Sequence, residues 1–259
     1  MDNQKLILLF QELQYGVVFN GYISNGFAKI CYSNDDTSIY WNYAFTNQLL
    51  TVNQLKELES EFKNLNRTAT IYFEKSETTK DLVRVLEENN YEKKYEEAWL
   101  FHEDPIDELD QFKQIKKVLN EEDLAVFLKT FDSCYQKDDP QNPYGELSGY
   151  LDSAKKAWTD TNDEKLEYFI AYKGNEPVAV AALTSYEGLG YIANVGSLQK
   201  VRGEGFGKLI TQYCVWKSKQ NGNEYHFLAT EDGTYPYNFY HRIGFKSKFI
   251  TLGFTKKDV

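Results

Sequence analysis

The 259-residue chain has little from which a disulfide framework, a metal centre or a membrane span is built. Its three cysteines, Cys31, Cys134 and Cys214, have no metal-ligand spacing and sit in apolar or periodic stretches. They read as reduced core thiols of a reducing compartment. Long apolar runs are missing too. The patch Leu6 to Phe10 is too short for a membrane span and carries no signal-cleavage pattern. Positive charge is scarce, and a formal net charge of −10 argues against a nucleic-acid binder, whose footprint would be basic. The expectation is a cytoplasmic protein with no metal, no nucleic acid and no membrane among its partners, as monomer or homodimer. What the chain does have is aromatic surface, with 20 Tyr and 17 Phe, which suits sheet-rich packing. Its length fits one large domain or two small ones, either able to bury a core.

One stretch organises the rest, Arg202-Gly203-Glu204-Gly205-Phe206-Gly207-Lys208. It follows a β-rich run, Gly190 to Leu198, and precedes a helix-like run, Lys208 to Gln220. Alternating glycines at a strand-to-helix junction let the backbone approach a ligand. The helix N-terminus and its free N–H groups then favour an anion, and Arg202 and Lys208 add full charges. The physical reading is a pyrophosphate site. A Rossmann loop would need glycine where Lys208 stands, and a Walker loop would need it at Arg202, so both fail.

The pattern R-x-x-G-x-G does fit, as Arg202, Gly205 and Gly207. It resembles the coenzyme loop of the GNAT family, the Gcn5-related N-acetyltransferases. Two neighbours strengthen the resemblance. Val195-Gly196-Ser197-Leu198 stands where that family has a bulged strand, and Tyr240-His241-Arg242-Ile243-Gly244-Phe245 looks like its Y-x-x-x-G-F. The resemblance covers about Phe112 to Phe254. It implies an α/β (α+β) GNAT fold, a mixed and mostly antiparallel twisted sheet flanked by helices. It also implies an acyltransferase that uses acetyl-coenzyme A, with no metal.

In order along the chain, Leu6 to Leu13 reads as a helix, Gly21 to Tyr32 as strand with a turn at Asn25-Gly26, and Ile39 to Phe45 as strand. Thr51 to Asn64 is amphipathic, with Leu55, Leu58 and Phe62 on one stripe. Thr68 to Glu74 is strand, Thr78 to Glu88 helix, and Tyr91 to Phe101 one or two strands. The acidic, aperiodic His102 to Asp110 connects two halves. The second half restarts with a strand, Phe112 to Val118, then helices from Asn120 to about Gln136 and from Gly145 to Thr159. Strands Leu166 to Tyr172, Pro177 to Ser185 and Tyr191 to Leu198 precede the glycine loop, and Tyr225 to Thr230 and Phe245 to Phe254 follow it. Tyr91-Glu92-Lys93-Lys94-Tyr95 echoes Phe245-Lys246-Ser247-Lys248-Phe249, which suggests tandem units. The expected domains are 1–106, GNAT-like but degenerate and without a coenzyme loop, and 107–259, catalytic. In the echo's register Leu86 replaces Tyr240.

Within the resemblance, roles fall on particular residues. The Val195 N–H would polarise the acetyl carbonyl. Val195, Gly196 and Ser197 would pair with the pantetheine like an added strand. Arg202, Gly203, Glu204, Gly205, Phe206, Gly207 and Lys208 would take the pyrophosphate through backbone N–H groups. Asn238 would touch the pantetheine arm. Tyr240 would serve as general acid to the thiolate. The base stays open: Tyr191 stands where histone-acetylating members carry Glu, leaving Glu187, Glu231 or water. His226 and His241 read as a strand residue and a helix-surface residue. The resemblance is silent on the acceptor beyond direct attack by an amine, but the carboxylates and aromatics at its entrance, Asp138, Asp139, Glu146, Tyr150, Tyr186 and Glu187, suit a small cation, so the primary amine of a small molecule is expected over a protein tail. The competing reading is a non-catalytic acetyl-coenzyme A sensor or scaffold.

Overall fold

The computed structural model of the chain describes residues 1–137, 139, 147–161 and 164–257. It forms two compact units. The first comprises Met1–Trp99, Ala229–Asp232 and Ser247–Val259, and the second Leu100–Leu228 and Gly233–Lys246. The sequence suggests a single cut between residues 106 and 107. The chain instead divides between Trp99 and Leu100, and two later stretches return to the first unit.

The first unit opens with α1 (Asn3–Gln14), capped by the Asp2 carboxylate, which accepts from the Lys5 N–H. A hairpin follows, β1 (Gly21–Ser24) and β2 (Lys29–Tyr32), in register Gly21 to Tyr32 across the expected Asn25-Gly26 turn. β3 (Tyr43–Phe45) is shorter than the aromatic run from Ile39 predicts. The reason is Asn42, whose amide donates to the carbonyls of Asp36 and Ser38 at 2.8 Å and curls the preceding residues into a turn. α2 (Val52–Asn64) buries Leu55, Leu58 and Phe62, the predicted stripe. β4 (Thr70–Glu74) lies parallel to β3. After a short 3₁₀ turn, α3 (Lys80–Glu88) buries Leu82 and Leu86, and β5 (Tyr91–Phe101) is one unbroken strand.

The second unit begins with a 3₁₀ turn, Asp110–Gln114, and β6 (Ile115–Lys117). The expected strand from Phe112 starts late because the turn swings that ring onto Tyr213 and Trp216, 5.3 and 5.5 Å away. α4 (Glu121–Cys134) is capped by Asn120, as its sequence predicts. α5 (Ser148–Asp160) follows, and Gly145, the expected start of that helix, lies outside the described residues. β7 (Leu166–Lys173), β8 (Glu176–Tyr186) and β9 (Leu189–Ser197) form an antiparallel meander. α6 (Phe206–Gln220) packs Ile210, Cys214 and Val215 toward β8 and β9. β10 (Tyr225–Glu231) then runs parallel to β9, and α7 (Tyr235–Arg242) closes the unit. Strand order here is β10-β9-β8-β7-β6.

The last strand, β11 (Lys246–Lys256), pairs antiparallel with β4, from Thr251 opposite Glu74 to Thr255 opposite Thr70. Its Leu252 and Phe254 join Ile30, Leu58, Phe62, Ile71 and Phe73 in the first unit's core. Strand order in that unit is β1-β2-β3-β4-β11-β5. Each unit is a mixed, mostly antiparallel sheet with helices packed on it, the fold class expected from the sequence.

Candidate active site

The site belongs to the second unit and starts with a fault in its sheet. Along β8 and β9, Val180 faces Gly196 and Ala182 faces Ala193, so one residue of β8 spans two of β9. The extra residue is accommodated at Asn194, whose φ is +54°, a left-handed value rare for a side-chain-bearing residue. Asn194 and Val195 therefore have no register partner on β8. This is the bulged strand that the sequence resemblance implies. On its other edge β9 pairs with β10 only from Leu189 to Tyr191. Two phenols reach the bulge. Tyr135 Oη donates to the Val195 carbonyl and Tyr150 Oη to Asn194 Oδ1, both at 2.9 Å. Gly196 permits this approach, because a Cβ there would stand 2.7 Å from the Cys134 Cβ.

Beyond β9 a 3₁₀ turn, Gln199–Val201, leads into the glycine loop. Gly203 and Gly205 adopt φ of +83° and +89°, and a Cβ on either would meet nothing within 4 Å. The backbone is thus left-handed and faces open space at both positions. Gly205 is the N-cap of α6 and supplies no side-chain cap, and no acidic residue stands in the first helical turn. The first N–H groups of a helix have no acceptor within it. Those of Phe206, Gly207 and Lys208 point out of this N-terminus with the positive end of the helix dipole behind them. Two expected donors are turned elsewhere: the Arg202 N–H donates to Gln199 O and the Glu204 N–H to Val201 O.

The loop's charges are also partly committed. The Arg202 guanidinium forms a two-pronged ion pair with Asp139, whose carboxylate is fully buried. That bond raises the Arg202 pKa further, so it stays cationic and fixed. Lys173 neutralises Glu204 at 2.7 Å. Lys208 lines an open cavity of about 410 Å³ together with Glu204, Gly205, Phe206, Leu109, Gln111 and Gln114. Neither the amides of Gln111 and Gln114 nor the Asp139 contact are signalled by the glycine pattern.

α7 approaches the same loop. A Cβ on Gly207 would lie 3.5 Å from the Phe239 ring and 3.7 Å from Ser197 Oγ. Gly207, the end of β9 and α7 therefore meet. Tyr240, next to Phe239, is 9% exposed and packs edge-on against Phe239 and Phe245, with centroids 5.1 and 5.7 Å away. Gly244 turns the chain after it with φ +107° and leaves no room for a side chain against His102. Asn238 is exposed, and its amide donates back to Thr234 O at 2.9 Å.

The other nominated residues divide clearly. Asp138 and Glu146 lie outside the described residues. Asp139 is consumed by Arg202, and Tyr186 already carries Lys165 over its ring at 5.5 Å. Glu187 sits in the β8–β9 turn with φ +47°. Glu231 belongs to the first unit, as does Glu97, with which it interacts electrostatically. His226 Nδ1 is 2.8 Å from Ser218 Oγ, and burial, with His102 and Lys219 nearby, lowers its pKa. His241 packs on Tyr237. All three cysteines are free and buried. Burial pushes the Cys31 and Cys134 thiols up to about 12, so they are inert core groups as expected. No cluster able to hold a metal occurs among the described residues. No helix among them is long and apolar enough to cross a membrane.

Residues 126–245 match the family model described as "Acetyltransferase (GNAT) family". A comparison with curated proteins finds no match. Solved structures are similar in fold. A GCN5-related N-acetyltransferase from Kribbella flavida superposes with a TM-score of 0.67 at 16% identity, over 98% of this chain and 95% of the other. A functionally unknown conserved protein from Staphylococcus epidermidis gives 0.67 at 16% identity, over 94% and 96%. A tandem GNAT protein from the clavulanic acid biosynthesis pathway gives 0.56 at 8% identity, over 88% and 77%. The bulge, the uncapped glycine loop and this match identify residues 126–245 as an acetyltransferase domain of the GNAT family.

Proposed function

We propose that the chain is a cytoplasmic acetyl-coenzyme A-dependent N-acetyltransferase that acts on the primary amine of a small molecule by direct attack. The second unit alone holds the coenzyme, and the first is a degenerate, GNAT-like unit. The carrying observation is the pairing of an open, left-handed glycine N-cap on α6 with the bulge at Asn194–Val195. The residues fit the coenzyme: open space over Gly203 and Gly205 admits a pyrophosphate, and the first-turn N–H groups and Lys208 suit its charge.

Bound acetyl-coenzyme A supplies an acetyl group activated as a thioester. The Val195 N–H is the oxyanion donor, and a preorganised donor of this kind contributes about 10²–10³ in rate. Val195 to Ser197 offer a strand edge to the pantetheine arm. The Tyr240 phenol holds a proton for the departing sulfur. The net charge of −10 favours a cationic acceptor, although Asp139 takes no part in that attraction because Arg202 already holds it.

Calorimetry with acetyl-coenzyme A, followed by thiol release over a panel of amines, tests this reading. One site per chain and turnover with a small amine are expected. Binding without turnover points to a sensor, and two sites per chain or none overturn the proposal. Tyr240→Phe should lower kcat by roughly 10- to 1000-fold with coenzyme affinity unchanged. An unaltered kcat assigns the proton to another group.

A further inference from the structure

We propose that Tyr135 and Tyr150 are positioning residues that lock the β9 bulge so that the Val195 N–H keeps its aim. The inference rests on the acetyltransferase reading above. The Val195 N–H lies in the peptide plane between Asn194 and Val195. The two phenols act on either side of that plane: Tyr150 holds the Asn194 side chain and Tyr135 holds the Val195 carbonyl, each at 2.9 Å. A left-handed residue with a side chain costs about 1–2 kcal/mol, less for Asn than for most, and the contacts around Asn194 hold it there. Here the constraint comes from two separate helices. Tyr135 is the C-cap of α4, with φ −117° and ψ 71°, and Tyr150 stands in the first turn of α5. The Phe131 ring supports both, 5.1 Å from Tyr135 and 6.1 Å from Tyr150. Gly196 lets the end of α4 come close enough for the first bond, since any Cβ would collide with Cys134. Neither phenol is needed to fill the core, because both are only partly buried. Their hydroxyls serve the bulge.

Tyr135→Phe and Tyr150→Phe remove one hydroxyl each and keep the rings, with a thermal melt to check that each variant folds. Each should lower kcat about 10-fold, since misplacing a catalytic group by under an ångström already costs rate. Coenzyme A affinity should stay within about 2-fold, as the glycine loop is untouched. The deciding readout is the thioester carbonyl stretch of isotope-labelled acetyl-coenzyme A bound to the protein. An N–H aimed at the carbonyl lowers that frequency, and both variants should return it toward the free value. Asn194→Gly accepts the left-handed backbone but gives Tyr150 no acceptor, so it should shift the band alone, and Tyr150→Phe should then add nothing. An unmoved band in both Phe variants, or a coenzyme affinity that falls as far as kcat, overturns the proposal while leaving the acetyltransferase reading intact. A wild-type protein that binds no acetyl-coenzyme A overturns both at once.

Discussion

Two helices in this chain link a pair of parallel strands, and they begin in opposite ways. α2 joins β3 to β4, and α6 joins β9 to β10. At α2 the Thr51 hydroxyl accepts from the Gln54 N–H, and the Gln54 side chain accepts from the Thr51 N–H at 2.8 Å. This capping box satisfies the donors from within. At α6 the N-cap is a left-handed glycine with nothing to offer, and the donors stay exposed. The two junctions differ in who closes them. α2 is closed by its own side chains, which favours stability. α6 goes without a side-chain cap worth about 1 kcal/mol, which suits the anion binding proposed above.

The sharpest way to break the contrast is to give α6 a side chain at its N-cap. Gly205→Asp puts a carboxylate at the helix N-terminus, where the pyrophosphate is proposed to bind. Coenzyme affinity should drop more than about 100-fold, since an anion is repelled and a side chain fills the open space. The melting temperature of the ligand-free protein should fall only slightly, by the ~1–2 kcal/mol that a side chain costs in the left-handed region. Calorimetry beside a thermal melt separates the two effects. Parallel losses of binding and stability would mean that the loop had simply misfolded. The reverse experiment opens α2. Thr51→Ala should cost about 1 kcal/mol of stability in denaturant titration and leave coenzyme stoichiometry at one per chain. A second coenzyme site appearing in that variant would erase the distinction between the units.

The smallest effect concerns the first unit's charge. Glu97 accepts from Tyr72 Oη at 2.9 Å, and burial, with Glu231 adding repulsion, pushes its carboxyl up to about 7. A raised acid pKa means the folded state binds more protons than the unfolded chain between the usual carboxylate value and about 7. Its contribution to stability therefore falls as pH rises through that window and is flat above it. Glu97→Gln should flatten that downward drift, read from denaturant midpoints at pH 5 and pH 8. A wild-type stability that rises across this range, with the same slope in the variant, would show that Glu97 is ionised throughout.

Local chemistry was legible before the fold was known. The stripe Leu55, Leu58 and Phe62, the cap at Asn120 and the Asn25-Gly26 hairpin are each written in neighbouring residues. The bulge was reachable only through resemblance, because nothing in Val195-Gly196-Ser197 demands an extra residue. Arg202 was read as a free cation because its partner, Asp139, is 63 residues away in sequence. Tyr135, and the contact that Tyr150 makes with β9, stayed hidden for the same reason, reaching across 60 and 44 residues. The strand from Phe245 to Phe254 was legible, but not that its neighbour would be β4. Period-two patterns set a strand's faces and leave its edges open.

That last pairing has a bearing on synthesis. A ribosome releases the chain in order, and domains made first ordinarily fold first. Here β4 is made early, yet the strand beside it, carrying Leu252 and Phe254 into the same core, leaves the ribosome after the entire second unit. The first unit waits with an uncovered strand edge and an unfilled core while the unit encoded after it completes itself. The second unit can therefore mature before the first, whose core closes only once β11 has paired with β4.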